Sequence, residues 1–342
     1  MTDITSPRIS VGMILGNDTD RHIEHDRIKT VALRGNNDAN LLISLIDDPT
    51  IVWSRVQLTP SYFRKRISHN LSGFDVLWNL ISDADQHPKV LAVADRLTEG
   101  FAGATIDAPS QILGTRRHQV AARLQGIRGV TMPKTLLLRF PNRERLTRQI
   151  EQAAFRFPAI LRVAGEHNGH VLGLIDGIDG ASPIFGDRQR EYYLTEFVDV
   201  RAADGLYRKS RFFVVGDQII VRQHIAAPHW NIHGASSRAY MVQHKTLLEE
   251  ARSLLTGQFA ALPLATQQAL EGIRGAMKMD YFGIDACIGP DGSLTVFEAN
   301  ATMNFNPAFR NPATQYNRAA VSPMIEATRR LLELRVSERR RG

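Results

Sequence analysis

The sequence predicts a mixed α/β and α+β fold in three parts, and three observations carry that expectation. Up to residue 113, short apolar runs at 9–15, 51–58 and 74–81 alternate with amphipathic stretches at 38–46 and 88–97, the pattern of a parallel sheet with helical crossovers. Between 114 and 190, helix and strand patterns alternate on a smaller scale, which reads as an α+β module. From 191 to 342, strand-like runs, two helical stretches, a β-hairpin and a long helical pattern make a second α+β module.

Taken in order, the first part ends its strands in polar segments, Gly16-Asn17-Asp18-Thr19-Asp20 and later Ser82-Asp83-Ala84-Asp85. Ligands of parallel sheets sit beyond the carboxyl ends of the strands, so each segment is either a solvated turn or the rim of a cleft. The middle part is expected to run helix 114–124, strand 132–139, helix 143–154, and strands 159–163 and 171–175. Between those last strands lies Gly165-Glu166-His167-Asn168-Gly169-His170, whose glycines would let backbone N–H groups approach phosphate oxygens, although by itself such a loop reads as a turn. The third part has strands near 192–198, 208–215 and 218–224, helices over 243–256 and 265–278, and a terminal helix near 318–337. Its long loop through His229-Trp230-Asn231-Ile232-His233 offers no third metal ligand at useful spacing, so a loop covering a substrate is expected there.

The hairpin is the most specific feature. The apolar runs 282–288 and 294–297 flank Pro290-Asp291-Gly292, and a four-residue loop from Pro290 to Ser293 puts Gly289 opposite Leu294. Asp285 then lies opposite Glu298 with Cβ atoms about 5 Å apart, and Asn300 projects from the same face. Two carboxylates that close repel each other unless a cation lies between them. With only an amide oxygen beside them, the donors at Asp285, Glu298 and Asn300 suit Mg²⁺ or Mn²⁺ better than zinc, and Mg²⁺ held this way usually carries substrate phosphates.

Composition narrows the class. The 342 residues are 43% hydrophobic and 23% charged, an ordinary globular balance with room for two or three compact units. One cysteine, Cys287, excludes an intramolecular disulfide framework, and it reads as a small buried residue rather than a nucleophile. No apolar run reaches the roughly 20 residues of a membrane span, and the N-terminal segment lacks the pattern of a leader, so a cytoplasmic protein is expected. The excess of 42 Lys+Arg over 35 Asp+Glu, +7, points to an anionic partner. The run Arg339-Arg340-Arg341 reads as a solvated helix end. A nucleic acid is disfavoured as that partner, because no helix-turn-helix, ribonucleoprotein or zinc signature is present and the basic residues are dispersed.

An Asp, a spacing of thirteen residues to Glu298-Ala299-Asn300, and the continuation "FEANATMNFNP" resemble the metal signature of the ATP-grasp superfamily. The resemblance covers residues 114 to about 310 and implies a three-part architecture in which two α+β modules grip ATP, divided as 1–113, 114–190 and 191–342. It implies that Asp285, Glu298 and Asn300 hold Mg²⁺ on the ATP phosphates. The segment Phe157-Pro158-Ala159-Ile160-Leu161-Arg162 resembles the strand preceding the family's phosphate loop, with Arg162 where Lys is usual, and the loop would place His167, Asn168 and Gly169 on phosphate. Thr115-Arg116-Arg117-His118 resembles an Asp-Lys helix start, with Arg117 in the Lys position; the bland reading of Arg116 and Arg117 is a solvated helix start. Arg can grip phosphate as a fork where Lys is a point charge. Thr195-Glu196-Phe197-Val198-Asp199 resembles the adenine hinge: the backbone of Phe197 and Val198 would meet the base edge, Glu196 the purine amine, and Asp199 or Asp204 the ribose.

A two-residue turn at Gly216-Asp217 pairs Val215 with Gln218, and continuing that register sets Arg211 opposite Arg222. Like charges opposite one another call for a splay into solvent, an acidic match or an anion between them, and the family gives arginines in this region a catalytic part in phosphoryl and acyl transfer. The resemblance thus implies a ligase that activates a small-molecule or peptide carboxylate with ATP and joins it to an amine, similar to the D-alanine–D-alanine ligase, glutathione synthetase and ribosomal-protein glutamate ligase branches. Such chemistry needs no protein nucleophile. The alternatives are a phosphotransferase that stops after phosphoryl transfer and a basic nucleic-acid-binding protein without turnover. Substrate identity and oligomeric state, a homodimer included, stay open at this level.

Overall fold

The structure is a computed structural model that describes residues 8–18, 42–43, 45–60, 64, 69–166, 170–303, 305 and 312–341. Most of the amphipathic stretch 38–46 and the loop residues 167–169 lie outside the described residues. Three sheets form the frame. β1 (Ile9–Gly16), β2 (Ile51–Leu58), β3 (Val76–Asn79) and β4 (Ala104–Ile106) make a parallel sheet in the order β2-β1-β3-β4. Being covered on both faces, β3 is buried at every position, as parallel strands require.

Five further strands follow in the middle of the chain: β5 (Val130–Thr131), β6 (Thr135–Arg139), β7 (Ala159–Val163), β8 (Gly173–Ile175) and β9 (Glu191–Glu196). β6, β9, β7 and β8 pair antiparallel in that order, so β9, which lies just past residue 190 in the chain, sits between β6 and β7. This sheet has a core of its own, built from Leu138, Leu146, Phe155, Ala159, Leu161, Tyr192 and Leu194, with the helix Arg143–Gln152 laid over it. Asn142 caps that helix by accepting the Arg145 amide at 2.9 Å.

The third sheet, in the order β11-β10-β12-β13-β5, uses β10 (Tyr207–Val215), β11 (Gln218–Ala227), β12 (Tyr281–Ile288) and β13 (Leu294–Asn300). Its two faces share cores with the first sheet: Phe212, Val214 and Ile284 pack with Leu77 and Ile14, while Phe213, Val215 and Tyr281 pack with Trp78 and the terminal helix Val321–Arg341. Gly216 takes φ +61° in the two-residue β10–β11 turn, where Val215 faces Gln218 as the sequence predicts. The helices Lys245–Gly257 and Leu264–Met277 match the expected amphipathic stretches to within a turn. A helix at Gly234–Val242 was not expected; its sequence, GASSRAYMV, carries little amphipathic pattern, and its apolar anchor is Met241, buried against Ile225 and Ala226 of β11. No helix among the described residues is long and apolar enough to cross a membrane.

The two acidic segments of the first part become structural. Asp18 caps the helix Pro88–Thr98, its carboxylate accepting the Lys89 and Val90 amides at 3.1 and 2.8 Å. Asp85 accepts the Tyr193 hydroxyl at 2.7 Å and the Arg116 Nε at 2.6 Å, while Arg116 also holds Glu191. That loop is thus a clasp between the first sheet and the β6–β9 sheet rather than a solvated turn, and Ser82 to Asp85 also border a small pocket shared with Arg117, Arg162, Glu298 and Asn300, as the rim reading expects.

Candidate active site

A cavity of about 1020 Å³ opens between the β6–β9 sheet and the β10–β13 sheet. Its floor is one transverse row across four strands. Gln223 of β11 faces Arg211 of β10, Arg211 faces Asp285 of β12, and Asp285 faces Glu298 of β13. Two β-bulges sit on this row. In the β12–β13 hairpin the ladder begins with Ile288 opposite Leu294, one residue away from the expected Gly289–Leu294 pair. The bulge at Phe297 then restores Asp285 to its place opposite Glu298. In β10–β11 the expected Val215–Gln218 register holds as far as Phe212–Val221, where a bulge moves Arg211 onto Gln223. The expected Arg211–Arg222 pair therefore does not form; Arg222 is the extra residue of the bulge. A bulge turns two successive side chains toward one face, and both Arg222 with Gln223 and Phe297 with Glu298 line the cavity.

Charge on the row is matched within the protein. The Arg211 guanidinium grips Asp285 with two bonds of 2.7 and 2.9 Å, and Lys209, two residues along the same face, adds a contact of 3.2 Å. Asp285 is only 3% exposed; burial alone would raise its pKa, but Arg211 and Lys209 outweigh it and hold the carboxyl well below its usual range. Glu298 is held by Arg117, which also donates to the Phe297 carbonyl at 3.1 Å. Asn300 donates to Glu298 at 2.7 Å while its Oδ1 accepts from the Thr302 amide and hydroxyl at 3.0 and 2.9 Å.

These donors fit a hard divalent cation by their chemistry: two carboxylates on one rung, an amide two residues on, all lining one cavity and all oxygen. Among the described residues no third His, Cys, Asp or Glu joins them, so the third donor has to be the amide. A cation entering there would exchange the present contacts to Arg211, Lys209, Arg117 and Thr302 for coordination.

Arg162 faces the same cavity from β7. Among the described residues its Nε has no hydrogen-bond partner, and burial, with Arg117 beside it, pushes its pKa down to about 9 against the pull of Glu298. Arg222 is 3% exposed, stacks 4.8 Å from the centre of the Phe305 ring and donates to the Asn317 carbonyl at 3.3 Å. Burial first and Arg211 second push its pKa down to about 9 as well.

At the opposite wall Glu196, Phe197 and Val198 line the cavity. The Phe197 amide already donates to the Pro158 carbonyl at 2.9 Å, so it is taken, and the base-edge reading passes to the Phe197 carbonyl and Val198. Glu196 is buried and accepts the Arg156 amide at 2.8 Å. Neither ribose candidate is on the cavity wall: Asp199, with a side chain 51% exposed, is held by Arg201, and Asp204 is tied to Arg208 and the Leu206 amide. His167, Asn168 and Gly169 lie outside the described residues.

Sequence reasoning missed three cavity residues. Lys209 carried a signal, since it shares the face of Arg211 two residues away on the strand. Arg238 lay in the unpredicted helix Gly234–Val242, and Gln223 reached the cavity only through the bulge. The loop residues Trp230 to His233 do line the cavity, with Trp230 edge-on to Phe197 at 5.7 Å. A Ser210–His224–Glu250 chain, at 2.8 and 3.0 Å, has the residue types of a nucleophile triad. Ser210 is 1% exposed on the opposite face of β10, however, so the chain ties the helix Lys245–Gly257 to the sheet and presents no nucleophile.

No family model matches the chain, and no curated protein matches it. Solved structures do. The VanG D-Ala:D-Ser ligase from Enterococcus faecalis superposes with a TM-score of 0.55 at 14% identity, over 95% of this chain and 99% of that one. The D-alanine-D-alanine ligase from Coxiella burnetii gives 0.57 at 10% identity, over 98% and 97%. A RimK domain protein ATP-grasp from Sphaerobacter thermophilus gives 0.52 at 16%, over 93% and 98%. At these identities the likeness is one of fold.

Proposed function

We propose that this chain, whose fold is that of the ATP-grasp ligases, is an Mg²⁺-dependent ligase that activates a carboxylate with ATP and joins it to an amine. The observation that carries this reading is the transverse row Gln223, Arg211, Asp285, Glu298, held on the cavity floor by two bulges and faced by Arg162 from the other sheet. In this reading the purine lies against Glu196, Phe197 and Val198, and Arg162 and Arg117 take the phosphates. Asp285, Glu298 and Asn300 hold the metal, which when bound neutralises charge on the transferring phosphoryl group. The substrate carboxylate oxygen attacks the γ-phosphorus and ADP leaves; the amine nitrogen then attacks the acyl carbon, phosphate leaves, and the nitrogen gives up a proton to solvent. Arg211, released from Asp285 as the metal takes that carboxylate, and Arg222, held by its stack on Phe305, would face the oxygens that gain charge in both steps. Such a reaction, in which substrates attack one another, needs no protein nucleophile.

The test is ADP release measured over pairs of carboxylic acids and amines, with mass spectrometry of the adduct. Turnover that needs both partners and yields an amide supports the ligase; turnover with the acid or alcohol alone, leaving a stable phosphate ester or acyl phosphate, replaces it with a phosphotransferase.

A further inference from the structure

Basic side chains face the cavity in two groups, one on either side of the Asp285 and Glu298 carboxylates. Arg162 and Arg117 act on one another beside Glu298, at the end formed by the β6–β9 sheet. Arg211, Arg222 and Arg238 act on one another at the other end, where the helix Gly234–Val242 and Thr314 complete the wall. The first group suits a triphosphate. In the second, Arg211 is committed to Asp285 and Arg222 stands in the bulge beside it, both where phosphoryl transfer has to occur.

Arg238 is the member that this chemistry leaves unexplained. It is half-buried, it comes from a helix outside the sheet, and among the described residues it forms no ion pair; Tyr316, Arg211 and Arg222 are the titratable groups acting on it. Taking a guanidinium out of water beside two others is costly unless an anion arrives. Burial first, against the pull of Tyr316, and then Arg211 lower its pKa. A ligand anion beyond the one that Arg211 and Arg222 attend would offset that cost.

We propose that Arg238 binds a carboxylate of the substrate other than the one that reacts, so that the acid taken by this chain is a dicarboxylate. That chemistry belongs both to a small amino dicarboxylic acid and to the acidic end of a peptide. The choice of Arg238 and the naming of one carboxylate as reacting rest on the ligase reading; the subsite itself is tested by binding alone.

Calorimetry on the full chain with Mg²⁺ and a non-hydrolysable ATP analogue would use glutarate, glutamate and a short peptide ending in glutamate, each against its counterpart with one carboxylate amidated. The dicarboxylates should bind at least about tenfold tighter than the amides, the gain expected of one charge-assisted pair. Arg238→Met should abolish that preference while leaving affinity for the ATP analogue as it was, and Arg238→Lys should restore part of it. Preference for glutarate and glutamate indicates a small acid, and preference for the peptide alone indicates a peptide end. Equal binding of acids and amides, no binding of any dicarboxylate, or an equal loss for both in Arg238→Met overturns the proposal. Failure of ATP turnover with dicarboxylates that bind in an Arg238-dependent way would count against the ligase reading instead.

Discussion

Replacing Arg162 by methionine should make the ligand-free protein more stable and remove most of the stabilisation that an ATP analogue adds. The guanidinium sits inside the cavity wall with its Nε unbonded and its pKa pushed down to about 9 by burial and Arg117. A fall of three to four pH units from the ordinary arginine value, at about 1.36 kcal/mol each, is a cost of roughly 5 kcal/mol to keep the charge in the folded state. The sign follows from proton binding: the unfolded chain holds this proton more tightly, so the penalty is complete at neutral pH and relaxes only as pH rises above 9. Local relaxation and the higher effective dielectric of real interiors leave about half of it, ~2–3 kcal/mol. Methionine keeps the apolar stem, so urea unfolding should shift to a higher midpoint by about 1 M. With a non-hydrolysable ATP analogue at 100 times its dissociation constant, the wild type gains about 2.7 kcal/mol. Losing one charged phosphate contact, about 2–3 kcal/mol, would cut that gain to roughly 0.6 kcal/mol in the variant. Arg162→Lys should retain much of the gain. A variant less stable than wild type without ligand, or stabilised equally by the analogue, would falsify the assignment of Arg162 to the phosphates.

The carboxylates of the row should behave alike in activity and unlike in stability. Asp285→Asn and Glu298→Gln should each lower Mg²⁺-dependent ADP release by more than about a hundredfold, but Asp285→Asn removes the buried carboxylate that holds the half-buried Arg211 and Lys209 and should cost about 3 kcal/mol, while the more exposed Glu298 should cost under about 1; equal thermal shifts would refute the burial argument. Asp107, fully buried, accepts the Asp280 and Tyr281 amides at 2.9 and 3.0 Å, and burial, with Asp280 nearby, raises its pKa well above the usual value. The folded state then keeps a proton that the unfolded chain releases, so the wild type should lose stability relative to Asp107→Asn as pH rises; parallel urea midpoints from pH 5 to 9 would refute this. Glu250, hydrogen-bonded by His224 and Arg208, has its pKa brought down to about 2. Its stabilising contribution is present above the ordinary carboxylate value of 4.5 and lost as pH falls toward 2, so the gap between wild type and Glu250→Gln should close over that range in thermal melts.

Periodicity decided much of this protein without tertiary help. The apolar runs of the first part could satisfy both covered faces only in a parallel sheet, and the helices Lys245–Gly257 and Leu264–Met277 follow from stripes that must be buried. The clustering of Asp285, Glu298 and Asn300 was legible because cross-strand neighbours in a hairpin are close in sequence. Even there the reasoning reached Asp285 opposite Glu298 through a loop the protein does not use, and a bulge at Phe297 made up the difference.

Bulges depend on what the neighbouring strands need, and that information lies in other parts of the chain. One inserted residue turns every side chain beyond it to the other face, so the local pattern of β11 could not reveal that Arg222 would leave its place opposite Arg211 and Gln223 would take it. The fates of the acidic loops were equally remote: Asp18 is settled by amides about seventy residues later, and Asp85 by Tyr193 and Arg116. Arg238 joined the cavity because tertiary burial of Met241 anchors a helix where the sequence pattern predicts none. Sequence thus determined which charges the chain carries and which strands carry them, whereas only the packing of distant segments decided which charges meet, because the energy of each contact depends on a partner the local chain does not contain.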